Sequence, residues 1–138
     1  MCARQLHSKL LRGAALPIAI GLFLTAVPGC GQRPKVDVTA GVENDQIVFN
    51  IAYSDVNGIL GFGVEDTSGT PLWKVDLNYF KGHKITYGKT PKGDKQQLPE
   101  NGAAPPSIRG NKVRVIVQVQ YDDWVPSARH FSKVLDIP

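Results

Sequence analysis

The side chains that ordinarily carry chemistry are sparse in this chain. Beyond residue 30 there are two histidines, His83 and His130. Neither sits in an H-x-H or HExxH arrangement, so a transition-metal site would need carboxylates brought in from distant segments. Lone histidines in strand-like sequence read as solvated or structurally engaged groups, and no metal is expected. Ser132 follows His130 by two residues, which puts both on one face of a strand, and Asp122 and Asp123 precede them. Nucleophile, base and acid are thus close in sequence, but no G-x-S-x-G elbow presents the serine, so catalysis is not the expectation. Asp55-Val56-Asn57-Gly58 sets oxygen ligands ahead of a glycine as a calcium loop does. The later ligands and the terminal Glu of such a loop are missing, and the segment reads as a hairpin turn. None of these residues implies a cofactor.

Two other groups point to binding. Tyr121-Asp122-Asp123-Trp124 sets aromatic rings beside carboxylates between the last two strand-like segments. Aromatic faces flanked by acids suit sugars, and loops at the ends of β-sandwiches often bind. The structural alternative is a Trp folded back over the hairpin, fixed by Val125-Pro126. The second group is Lys81, Lys84, Lys89, Lys92 and Lys95, offset within that stretch only by Asp94. Such a run is a contact patch for an anionic surface, lipid headgroups or envelope polysaccharide, or it is an edge strand whose lysines block unwanted pairing. The edge-strand reading is preferred. Gly61 and Gly63 leave one face of a strand bare, with packing beneath a neighbouring Tyr or Trp as the expected cause.

Strands must position all of these. Val36, Val38, Ala40 and Val42 alternate with polar or small residues. So do Ile47, Phe49, Ile51 and Tyr53; Leu60, Phe62 and Val64; Trp73, Val75, Leu77 and Tyr79; and Val113, Val115, Val117, Val119 and Tyr121. Ile85 and Tyr87 mark a shorter strand, and the break in alternation between Phe131 and Val134 predicts a bulge. No helical period stands out. Residues 90–110, rich in Pro and Gly, form a long connection that is functional, mobile or hides a short strand, for which Ser107-Ile108-Arg109 is the candidate. The expected fold is therefore all-β, an antiparallel sandwich of about seven strands, with a barrel as the competitor. Strand count and patterning resemble immunoglobulin-like and fibronectin type III-like domains.

The amino terminus differs in kind. The chain of 138 residues has a formal charge of +4, from 16 Lys and Arg against 12 Asp and Glu. Three of the positive charges, Arg4, Lys9 and Arg12, lie in the first 29 residues, which hold no acid. The remainder is nearly neutral. Gly13 to Val27 are apolar but for Thr25, too short for a membrane span of ~20 residues and interrupted by Pro17. A basic start, a short apolar middle and a small-residue exit describe an export signal.

Val27-Pro28-Gly29-Cys30 resembles the lipobox of bacterial lipoproteins. That resemblance implies a cut before Cys30 and a diacylglyceryl group on its thiol. The implied organisation is a signal peptide at 1–29, the lipidated Cys30 with a short tether at 30–34, and the sandwich at 35–138. Cys2 would leave with the signal and Cys30 would be acylated, so the mature domain would fold without a disulfide. Gly31 stands where retention in the inner membrane would show Asp, so an outer-membrane location is favoured over the inner membrane. The expected protein is a lipid-anchored, non-catalytic binding or structural module of the bacterial cell envelope. Its partners would be the membrane and another envelope protein or polysaccharide. Export removes it from nucleic acid. The alternatives are a carbohydrate-binding module and, further off, a small envelope hydrolase.

Overall fold

The computed structural model describes residues 34–121 and 128–138. They form eight strands: β1 (Lys35–Glu43), β2 (Gln46–Ser54), β3 (Gly58–Asp66), β4 (Pro71–Phe80), β5 (Lys84–Thr86), β6 (Lys95–Leu98), β7 (Lys112–Gln120) and β8 (Ala128–Asp136). These pair into two antiparallel sheets, β1-β2-β5 and β6-β4-β3-β7-β8. No described strand joins one sheet to the other, so a sandwich forms and not the competing barrel. With β6 set aside, β1-β2-β5 over β4-β3-β7-β8 is the A-B-E over C′-C-F-G order of immunoglobulin-like domains. The eighth strand is β6, an addition at the edge beside β4.

Alternation becomes burial. Val113, Val115, Val117 and Val119 of β7 are each no more than 1% exposed, while Lys112 at the head of the strand is exposed and Arg114, Ile116, Gln118 and Gln120 are half-buried. Beside them in the same sheet are Phe62 and Val64 of β3, and Phe49 and Ile51 of β2 come from the other sheet into the same core. The centre is aromatic: Phe49 and Phe62 lie 5.2 Å apart, Phe62 and Trp73 6.0 Å, and Trp73 and Tyr87 5.4 Å, in tilted or edge-to-face pairs. Among the described residues no polar or charged side chain is buried. The core therefore contributes stability through apolar burial, at ~25 cal/mol per Å² removed from water.

Several expected details turn out differently. In β3 the pairs Ile59–Val119 and Gly61–Gln118 skip Leu60. This one-residue bulge turns Ile59 inward, at 0% exposure, and displaces Leu60 from the inner row. The matching irregularity in β4 lies at Tyr79, whose φ is +51°. Its ring turns outward, 49% exposed, and Phe80 packs against the core instead. The strand hidden in 90–110 is Lys95–Leu98, with Ser107-Ile108-Arg109 outside any strand. β8 pairs with β7 without a register shift, so the expected bulge is absent. Its alternation breaks because Lys133 occupies the row of Phe131 and Leu135, and its ammonium reaches Asp37 of β1 at 2.5 Å. Asp55-Val56-Asn57-Gly58 is not a hairpin but the crossover from one sheet to the other.

Candidate functional site

The lysine stretch does not gather into one patch. Lys84 opens β5, the edge of the smaller sheet, and its Nζ donates to both Glu43 carboxylate oxygens at 2.8 and 2.9 Å. Lys95 opens β6, the edge of the larger sheet, opposite Asp76. Lys81 and Lys89 lie toward opposite ends of the sandwich. The backbone bonds Ile51 N to His83 O and Tyr87 N to Ile47 O show residues 83–87 running beside residues 47–51 of β2 between them. Lys92 lies in the connection from β5 to β6. Lys84 and Lys95 each head an edge strand, one in each sheet, where a lysine hinders edge-to-edge pairing.

Of the aromatic–acidic group, Asp122, Asp123 and Trp124 lie outside the described residues, as does Cys30. Tyr121 follows β7, and the Arg129 guanidinium carbon sits 4.5 Å from the centre of its ring. His130 and Ser132 do share the outer face of β8, both exposed, opposite Gln118 and Ile116. His83 is engaged structurally: its ring stacks on Tyr53 at 4.6 Å and 19°, with Nδ1 3.0 Å from the Ile51 carbonyl. Among the described residues no three His, Cys, Asp or Glu side chains cluster in a way that holds a metal.

The fold does assemble a cleft where β2 ends, β4 ends and β7 ends. Tyr53, Val56, Asn57, Tyr79 and Lys81 line this open space of about 390 Å³. Local backbone geometry builds it. Asp55 (φ +58°) turns the chain out of β2, and Asn57 N then donates to Gln120 O at 2.7 Å. Gly58 lets β3 start against β4, because a Cβ there would lie 3.0 Å from Tyr79 Cα. The left-handed conformation of Tyr79, costly for a bulky residue, aims its ring at the cleft, where the hydroxyl donates to Gln120 Oε1 at 3.0 Å. On the other wall the Tyr53 hydroxyl donates to the Lys81 carbonyl at 2.7 Å. The Lys81 side chain is exposed, and Lys35, opposite Ser54 in the first pair of β1 with β2, opens the domain at this same end. Sequence alternation assigns Tyr53 and Tyr79 to inner rows. The sheet crossover at Asp55 to Gly58 and the unusual φ at Tyr79, neither of which alternation shows, bring the two rings and the lysine together.

A second concavity lies over Gly61 and Gly63 on the outer face of the larger sheet. It measures about 230 Å³, with Glu65, Pro71, Lys74, Ile116, Gln118 and His130 around it. No ring fills the strip. The atoms nearest a Cβ at these glycines belong to the side chains of Gln118 and Ile116 and to the carbonyls of Val75 and Trp73. The expected packing beneath a Tyr or Trp is thus replaced by Gln118 leaning over Gly61.

Comparison with protein-family models, curated proteins and solved structures returns no match to this chain.

Proposed function

We propose that this is a lipid-anchored protein of the bacterial cell envelope, tethered through Cys30 and acting as a non-catalytic binding or structural module. The observation that carries the reading is Val27-Pro28-Gly29-Cys30 closing a basic and then apolar leader, with β1 beginning at Lys35. Acylation at that point explains why the leader stops short of a membrane span. Each buried methylene contributes ~0.8 kcal/mol, and two chains or more hold a protein stably where one holds it marginally. Gly31 favours the outer membrane over the inner. A binding or structural role is supported by the makeup of the sandwich: an apolar core, with its polar side chains on turns, edges and outer sheet faces.

Labelling cells with radioactive palmitate and fractionating them tests this. The wild-type protein is expected to carry label and to sediment with membranes, and Cys30→Ala to lose both. Label retained by Cys30→Ala would refute the assignment.

A further inference from the structure

The cleft of Tyr53, Val56, Tyr79 and Lys81 lies at the end of the sandwich where the chain enters from Cys30. Only Gly31 to Pro34 separate the acylation point from β1. At no more than ~3.6 Å per extended residue, four residues reach ~14 Å. The opposite end, with the turns at Asn44 and Gly69, lies a further nine-residue strand away, ~30 Å at ~3.3 Å per residue. On the anchoring reading above, the cleft is therefore held near the headgroups and the far end is not.

The chemistry of the end fits that place. Tyrosine is an amphipathic side chain suited to a membrane–water interface, with an apolar body and a hydroxyl that stays hydrogen-bonded. Two tyrosines wall the cleft, Val56 is half-buried within it, and Lys81 stands at its rim with no ion pair among the described residues. Tyr79, 49% exposed, is turned toward the cleft by a left-handed backbone conformation that is costly for a bulky residue. Among the described residues Lys35, Lys81 and Arg129 stand at this end against Asp55, a surplus that suits the phosphate of a headgroup. Tethering keeps the local concentration of headgroups high, so weak contacts suffice to orient the domain.

We propose that this cleft docks on the phospholipid headgroups of the bilayer that holds Cys30, with Tyr79 in the interface and Lys81 at a lipid phosphate. The proposal rests on the Cys30 anchor, and the experiment separates the two. The full-length lipoprotein is reconstituted into phosphatidylcholine–phosphatidylethanolamine vesicles with a nitroxide at Ser54→Cys or Ala128→Cys, exposed positions at the end that holds the cleft, or, at the far end, at Thr67→Cys. With Cys2 removed and Cys30 acylated, the introduced thiol is the one labelled. The labels at 54 and 128 are expected to be several-fold less accessible to a water-soluble nickel chelate than the label at 67. Adding Lys81→Ala to the labelled Ser54→Cys protein should raise its accessibility. Equal accessibility at all three positions in protein retained by the vesicles would overturn the docking and leave the anchor standing. Protein that washes off and carries no acyl mass on Cys30 would overturn both.

Discussion

Ile108→Ala should destabilise the domain heavily although Ile108 lies in no strand. Its side chain is 1% exposed and belongs to the core cluster. The backbone around it is tied down. Asn111 N donates to Ile108 O at 3.0 Å, Gly110 N to Ile137 O at 3.1 Å, and Ile137 N to Asn111 O at 2.9 Å. The Arg109 guanidinium adds a bond to the Asp45 carboxylate at 2.9 Å. With the segment pinned on both sides, the site cannot collapse around a smaller side chain, which places the loss at ~3 kcal/mol within the usual ~2–5 for Ile→Ala. In a domain of this size ~1 kcal/mol moves Tm by ~4–8 °C, so the shift should exceed ~10 °C. Ile108→Val should cost ~1 kcal/mol. Val134→Ala is the reference: that side chain is 49% exposed, and its loss should stay within ~0.5 kcal/mol. Thermal unfolding of the detergent-solubilised protein, followed by fluorescence of the fully buried Trp73, measures all three. If Ile108→Ala melts with Val134→Ala, the long connection is not a packed part of the core and the reasoning fails.

Three further outcomes follow from single residues. Gly58→Ala should cost ~1–3 kcal/mol by overpacking against the Tyr79 backbone, while Gly41→Ala, with nothing within 4 Å of its Cβ, should melt close to wild type. Asp66 accepts hydrogen bonds from the Ser68 hydroxyl and from the amides of Thr70 and Ser68, which hold its carboxyl below its ordinary 3.8. Its contribution is present above that ordinary value and lost as pH falls through the lower folded one, so an acid titration of Asp66→Asn should lack that part of the wild-type decline. Burial pushes the Tyr87 phenol up to about 12 from 10, and its hydroxyl donates to Pro106 O at 2.9 Å. The folded state then holds a proton that the unfolded chain releases. Stability from this group is complete below pH 10 and declines as pH rises toward 12, and Tyr87→Phe should flatten that alkaline slope in denaturant melts.

The sandwich is legible in sequence because a strand buried on one face must alternate, as Val113 to Val119 do. Turn residues mark where the rows end but not which rows pair, since Asp55-Val56-Asn57-Gly58 reads as a hairpin and is the crossover between sheets. What alternation misses arises where a single residue shifts the register. Leu60 is apolar and in phase by sequence, and only pairing with β7 reveals it as the extra residue of a bulge. Tyr79 likewise continues the row of Trp73, Val75 and Leu77 until its φ reverses it. β6 escapes because Lys-Gln-Gln-Leu has no apolar row. It is placed by Gln96, which accepts from Trp73 Nε1 at 3.2 Å and donates to the carbonyls of Pro99 and Ala103 at 2.8 Å. The cleft residues were individually visible as Tyr and Lys, but their meeting depends on the sheet crossover at Asp55 to Gly58 and on the φ of Tyr79.

The mass of the amino-terminal peptide of the mature protein, isolated from membranes and measured by mass spectrometry, tests the anchor most directly. Tethering through Cys30 predicts a peptide that begins at Cys30 and carries the added mass of a diacylglyceryl group. A mature chain that begins elsewhere, or that presents Cys30 with an unmodified thiol, would contradict it.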